Sequence, residues 1–236
     1  MKDLPVDRRG LLAGGVMLAA GSAMAAPVLA QGGAPTRPAY APEPAPLPFD
    51  PKAMPGLSEK LLISHHANNY TGAVRRIAAI GAQIGALDPA TAPGFQLGAL
   101  KREELIATNS MVLHEHYFGN LGAAGSASPA LAAMIERDFG SMARWQAEFS
   151  GTGKALGGGS GWVVLQFSPR DKRLLIQWGN DHTMATVGGD PLLVLDMFEH
   201  AYAMDYGSRA AAYVDAFMGI INWNAVNARF ARASAA

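Results

Sequence analysis

The chain contains no cysteine in its 236 residues. That absence removes disulfides, thiolate metal sites, iron–sulfur clusters and cysteine nucleophiles together. An excess of either charge is also lacking: Lys+Arg and Asp+Glu both number 19, so the formal net charge is zero. Without a basic excess there is no counterion release to drive broad nucleic-acid binding, and nucleic acid is excluded as a partner class. Charged residues make up only 16% and aromatics only 8%, against 50% hydrophobic residues. Such a chain can bury a sizeable core. Any metal site has to be built from Asp, Glu and the six histidines.

The first 50 residues do not read as ordinary fold. Residues 1–9 are MKDLPVDRR, and residues 10–30 are small, apolar and uncharged. A charged start, an apolar stretch and small residues at a possible cut are the parts of a secretory signal. Arg8-Arg9 directly before Gly10-Leu11-Leu12 resembles a twin-arginine export signal. Cleavage could follow Ala25 or Ala30. An uncleaved stretch would instead be a membrane anchor, but its Gly and Ala make it weakly hydrophobic for a spanning helix. The expectation is therefore a signal peptide over 1–30, export to the periplasm, and no stable membrane anchor after cleavage. Residues 31–48, rich in Pro, Ala and Gly, read as an extended linker or arm.

Beyond it, the pattern changes twice. Residues 57–87 and 101–120 carry helical periodicity, broken between them by Pro89, Pro93 and Gly94. Ser58 is placed to cap the first helix, with Glu59 in its first turn. Two such helices predict an antiparallel hairpin over 49–125. Gly122 falls at a C-cap position, and the stretch Gly122–Pro129 marks a boundary. Residues 130–155 read as one helix with Met134, Ile135, Phe139, Met142, Trp145 and Phe149 on its apolar face. After a glycine-rich turn at 157–161, residues 162–167 and 174–178 predict two strands of a hairpin, and 191–196 a third. Helices over 208–219 and 221–232 complete a domain over 126–236. The fold class is α+β: a helical hairpin, then a three-stranded antiparallel sheet surrounded by helices.

His65 shares a helix face with Leu61, Leu62, Asn69 and Ala73, and neighbouring His66 points elsewhere, since successive helical residues lie ~100° apart. His114 shares a face with Met111, Tyr117 and Phe118, and His116 points roughly opposite. Asp196 ends an apolar strand, where an unpaired carboxylate is costly. His200 follows four residues later, and His182 sits in a polar loop. One inward histidine per hairpin helix, plus this Asp and His, gives three imidazoles and a carboxylate. Such a mixed N/O set suits Fe or Mn. A trivalent ion with one carboxylate and hydroxide carries the same net charge as a divalent ion with carboxylate and water. A buried one-electron centre requires that constancy.

The run Asp196-x-Phe198-Glu199-His200-Ala201-Tyr202 resembles the DxWEHAY signature of iron/manganese superoxide dismutases. The resemblance covers about residues 45–230, and includes Leu47-Pro48-Phe49, Ser64-His65-His66, Gly159-Ser160-Gly161-Trp162 and Asn222-Trp223. It implies dismutation of superoxide at one Fe or Mn ion per subunit. The implied ligands are His65, His114, Asp196 and His200, with a water or hydroxide as the fifth. It also implies a homodimer, or a dimer of dimers, in which Glu199 crosses to the partner's ligand histidine. Phe118, Trp162 and Phe198 would form the apolar shell, and Arg209 would steer the anion. For the group that hydrogen-bonds the bound water, Ser110 is too short. His182 is favoured, as an imidazole that exchanges protons near its ~6.5 reference pKa. Three positions depart from the family pattern. Asn69 stands where many members have a second His, Ala73 where they have a gateway Tyr, and Ala203 where a Tyr reaches across the dimer. Those departures leave an alternative open, a metal-binding relative with little dismutase activity.

Overall fold

Capping and glycine placement set the helix boundaries that bring the site together. In the computed structural model, which describes residues 38, 40–184 and 187–235, the first long helix has three parts. These are α1 (Glu59–Ser64), a π-helical segment (His65–Tyr70) and α2 (Thr71–Ala86). Ser58 caps it as predicted, its hydroxyl accepting from the Leu61 N–H at 3.1 Å. In the π segment the Thr71 N–H reaches back five residues to the His66 carbonyl. Single π turns inside α-helices recur at functional sites. Here the wider turn changes the helix phase, so Tyr70 is buried where a regular helix would bury Asn69, which is only half-buried. The inward face then continues through Ala73, Val74, Ile77, Ile80 and Ile84.

Helix α3 (Gly94–Gly119) is longer than predicted, because Pro93 precedes its first turn rather than interrupting it. Its cap is Asn120, not Gly122, which lies two residues further at φ 146°. Asn120 is fully buried and ties the hairpin to the sheet, accepting from the Val194 N–H at 2.9 Å and donating to the Val194 carbonyl at 3.2 Å. The predicted helix over 130–155 is two helices, α4 (Pro129–Phe139) and α5 (Met142–Ala155). Gly140 takes a left-handed φ of 87° to end the first, and the Ser141 hydroxyl caps the second through the Arg144 N–H at 3.1 Å. The hydrophobic pattern ran on through this break because Ile135, Trp145 and Phe149 enter the same core.

The sheet has the order β2-β1-β3, antiparallel throughout, with β1 (Trp162–Ser168) in the centre, β2 (Arg173–Gly179) and β3 (Asp190–Asp196). Strand β1 is buried along its whole length. Its first residue, Trp162, is in register with Asp196, the last of β3. A 3-10 turn (Glu199–Ala201), α6 (Ala203–Tyr206), α7 (Ala210–Gly219) and α8 (Trp223–Ala235) follow. The α+β architecture is as predicted. From the hairpin to α8 the described residues pack as one compact unit.

The described part of the Pro/Ala-rich segment, residues 40–48, has no regular secondary structure but is docked. The Ala45 N–H donates to the Tyr70 hydroxyl at 2.8 Å, and His66 Nε2 donates to the Ala45 carbonyl at 2.8 Å. At Gly81 the Tyr40 backbone approaches so closely that a Cβ would lie 2.8 Å from the Tyr40 carbonyl oxygen. The expected signal peptide over 1–30, with Arg8 and Arg9, lies outside the described residues.

Candidate metal centre

Four elements converge on one buried point. His65 comes from the π segment, His114 from α3, Asp196 from the end of β3 and His200 from the 3-10 turn after it. One ligand atom from each lies within 4.8 Å of all the others. His65, His114 and Asp196 are buried, and His200 is half-buried. The Nε2 atoms of His65, His200 and His114 stand 3.1, 3.2 and 3.5 Å from a single oxygen, Asp196 Oδ2. Ligands held at ~2.1 Å from one ion and spread by 90–120° lie about 3.0–3.6 Å from each other. The spacing therefore fits an ion in the middle. His65 Nε2 and His114 Nε2 are buried without any hydrogen-bond partner, the state of a lone pair meant for a metal.

The surroundings fix which atoms point inward. His114 Nδ1 donates to the Ser110 carbonyl at 2.6 Å, so the proton of the neutral ring sits there and Nε2 is left as a donor atom for metal. Asp196 Oδ1 accepts from the Phe198 N–H at 2.9 Å, which leaves Oδ2 for the cluster. The Tyr213 hydroxyl donates to the Asp196 carbonyl at 2.8 Å and stands 3.2 Å from the Tyr117 hydroxyl, locking the strand end from behind. Burial lowers the pKa of His65 and outweighs the opposing pull of Asp196. It lowers His114 to about 3. Burial alone would raise the pKa of Asp196, but His200 and His65 together take it well below the usual carboxylate range. The centre is thus an anionic carboxylate facing two neutral imidazoles, and it lacks positive charge in a dry pocket.

The other predicted residues fall as follows. Phe118 lies 4.9 Å from the ring of His65, Trp162 5.1 Å from His114 and Phe198 5.4 Å from His200, centroid to centroid. His182 stacks on Phe198 at 4.7 Å and 9°. The Trp162 indole N–H donates to His182 Nδ1 at 2.9 Å, and the His182 carbonyl accepts from Asn109 at 2.6 Å. Burial lowers the pKa of His182, so it is a neutral ring with its proton on Nε2, not the near-neutral titrating group the sequence suggested. Ser110 serves through its carbonyl rather than its hydroxyl. Glu199 is exposed, next to His200. Arg209 is exposed just before α7, its Nε aimed at the Tyr206 carbonyl at 3.4 Å. His66 turns to the docked arm. His116 faces Arg229 and Arg232 instead of the cluster, its pKa lowered to about 4 by burial and by those two charges. Sequence reasoning missed Tyr213 and Asn109; neither belongs to a motif that could have flagged it.

The sequence profile of iron/manganese superoxide dismutases, C-terminal domain, matches residues 127–229. An iron superoxide dismutase of Cupriavidus metallidurans is 62% identical over 188 residues, 80% of this chain and 95% of that protein. An iron superoxide dismutase of Methanothermobacter thermautotrophicus is 35% identical over 192 residues, 78% of this chain and 91% of that one. A manganese superoxide dismutase of Haloferax volcanii is 31% identical over 192 residues, covering 80% and 94%.

Replacing a ligand should remove the metal. In the His200→Ala variant, metal analysis should find little Fe or Mn, while His66→Ala and His116→Ala should bind as much as wild type. Full occupancy in His200→Ala would remove it from the ligand set. In the metal-free protein, acid should destabilise the fold. The unfolded chain takes up protons at His65 and His114 from about pH 6.5 downward, and the folded chain does not. Asp196 acts in the same direction at lower pH, because its stabilisation is present above ~3.9 and lost as pH falls through its depressed folded value. Denaturant unfolding of metal-free protein should give a smaller free energy at about pH 5.5 than at about pH 7.5. Equal values would show that the folded state does not hold these histidines neutral.

Proposed function

The chain belongs to the iron/manganese superoxide dismutase family, and from that premise we propose that it is an exported superoxide dismutase using one Fe or Mn ion held by His65, His114, Asp196 and His200. The reaction joins two superoxide ions and two protons into one O₂ and one H₂O₂. When bound, the ion supplies the one-electron couple that takes an electron from the first superoxide and gives it to the second. The observation that carries the reading is the buried convergence of three imidazole nitrogens on Asp196 Oδ2.

The chain's own residues do the rest. Ser110 sets the tautomer of His114, and Phe198 sets the orientation of Asp196 through its backbone. Phe118, Trp162 and Phe198 keep bulk water from the ligands, which strengthens electrostatic interaction inside the pocket. His182 is held between Trp162 and Phe198 as a neutral ring and presents an Nε2–H for the proton supply. A metal-holding protein of low turnover is the second reading, because Asn69, Ala73 and Ala203 supply no ring at the positions where the family gates its substrate.

Two further parts of the proposal concern the whole molecule. The Arg8-Arg9 motif and the apolar stretch after it support export by the twin-arginine route to the periplasm, followed by cleavage. Exposed Glu199 beside half-buried His200 supports a homodimer. Among the described residues His200 Nδ1 has no hydrogen-bond acceptor, and a carboxylate from the partner's Glu199 would supply one.

Purified exported protein should carry Fe or Mn and dismute superoxide in proportion to its metal content. Metal without activity would favour the low-turnover reading. His182→Ala should keep most of the metal yet lose much of the activity and shift the metal's redox potential; activity and potential matching wild type would make His182 a bystander. Sedimentation should give a dimer mass that falls in Glu199→Ala, whereas an unchanged dimer would place the contact elsewhere. Arg8→Lys with Arg9→Lys should hold precursor in the cytoplasm, and normal periplasmic accumulation of that double variant would rule out the twin-arginine route.

A further inference from the structure

Between the two hairpin helices lies a cavity of about 230 Å³. Asn69, Ala73 and Arg76 form one wall, Ala107 and Ser110 of α3 form another, and His182 closes its end. Two of these residues border the metal centre directly. Ser110 holds the ring of His114 through its carbonyl at 2.6 Å, and His182 stacks on Phe198 at 4.7 Å. The helix wall is low: Ala73 carries only a methyl group, and a Cβ added at neighbouring Gly72 would meet nothing within 4 Å. A diatomic anion is not much larger than a water molecule, whose share of liquid volume is about 30 Å³. The cavity is therefore ample for one.

Entry of a charged substrate into such a cavity is governed by the potential at its mouth. Arg76 is the only cation among the residues lining this cavity, and its side chain is 50% exposed. Its guanidinium is paired with Glu103 of α3. Its charge also reaches the ring of His182. Arg102 adds positive charge to the same side, acting on Asp181 next to His182, while Asp181 is turned onto the Thr183 N–H and hydroxyl at 2.5 and 2.6 Å. Arg209, the residue that the family resemblance favoured for steering, does not line this cavity.

We infer that Arg76 is the residue that draws the anionic substrate into this cavity, and that its pairing with Glu103 restrains it. The inference rests on the dismutase reading for the identity of the anion. Steering of this kind acts through the field before contact, raises the rate of encounter, and fades as salt screens it. Arg76 is thus a steering residue and does not touch the reacting atoms in the metal centre.

The test uses fully metal-loaded protein, with metal content measured for each variant. Values of kcat/KM are compared at ionic strengths of about 10 mM and about 150 mM, between which the screening length shrinks from about 30 Å to about 8 Å. Azide, a small anion of the same charge that cannot be dismuted, is titrated in parallel through the visible absorption of the metal. Arg76→Ala should lower kcat/KM about three- to tenfold at the lower ionic strength, narrow that gap at the higher one, and weaken azide binding. Arg76→Lys should keep most of the rate, and Glu103→Gln should move kcat/KM and azide affinity upward. An Arg76→Ala protein that keeps its metal and matches wild type at low ionic strength would overturn the inference. So would a loss of equal size at both ionic strengths, which would mark a packing defect. If loaded wild type does not dismute superoxide at all, the dismutase reading fails by itself. The azide titration of Arg76→Ala still decides whether Arg76 governs anion entry.

Discussion

A carboxylate with no exposure to water sits at the end of a strand whose preceding four residues are buried and apolar. Asp196 is the constraint on which the rest of the site depends. A buried anion is tolerable only with hydrogen bonds and an opposing charge. The chain supplies hydrogen bonds, from the Phe198 N–H to Oδ1 and from His200 Nε2 to Oδ2, and it places the Nε2 atoms of His65 and His114 beside Oδ2. It does not supply the charge in full, because burial keeps His65 and His114 neutral. An Asp beside a buried Lys or Arg would be a closed ion pair. An Asp beside neutral imidazoles with aligned lone pairs is a socket for a cation. Metal binding and folding are therefore coupled, since the same ion that enables chemistry also neutralises the core.

That coupling explains why the strand behind the ligands is clamped by polar side chains. Tyr213 holds the Asp196 backbone, and Asn120 clasps both backbone groups of Val194, two residues earlier on the same strand. Arg229 donates to the Leu192 carbonyl at 3.0 Å and the His116 carbonyl at 3.2 Å, bridging β3 to the end of α3. A strand that presents a ligand at its last residue would fray without such clamps. Here both the strand and the helix carrying His114 are fixed from outside the pocket, so the ligand geometry does not depend on the metal alone.

The fold class, the three strands and the four converging residues were legible in the sequence for identifiable reasons. Strand β1 opens on an apolar run, Trp162 to Leu165, after a glycine turn, and β3 ends in a charge that no apolar strand should hold. The helix over 130–155 was misread because burial periodicity continues across Gly140-Ser141, where only the capping chemistry marks the break. The first long helix was misread at Asn69 because periodicity assumes 3.6 residues per turn. The π segment violates that assumption within the residues that carry the ligand. The role of Ser110 was illegible for a different reason: it acts through its carbonyl, and sequence patterns report side chains. The lowered pKa of His182 follows from burial against Phe198, a contact between distant segments.

The same π segment explains how adjacent histidines take unrelated roles. His65 enters the metal pocket, and His66, one residue on, donates to the docked arm at Ala45. Tyr70, on the last residue of that segment, receives the Ala45 N–H and donates to Glu115 at 3.1 Å, the residue directly after ligand His114. The arm is therefore bonded to the first helix beside His65, and through Tyr70 it is linked to Glu115 of α3. An extended segment with no regular structure of its own gains its order only from these contacts. The bond that spans the hairpin is Tyr70 to Glu115, and it opposes separation of the two helices near the level where His65 and His114 stand 5.0 Å apart, ring to ring. The ligand pair of the hairpin is thus held from one side by Asp196 and from the other by the Tyr70–Glu115 bond, against which the proline-rich chain docks through Ala45.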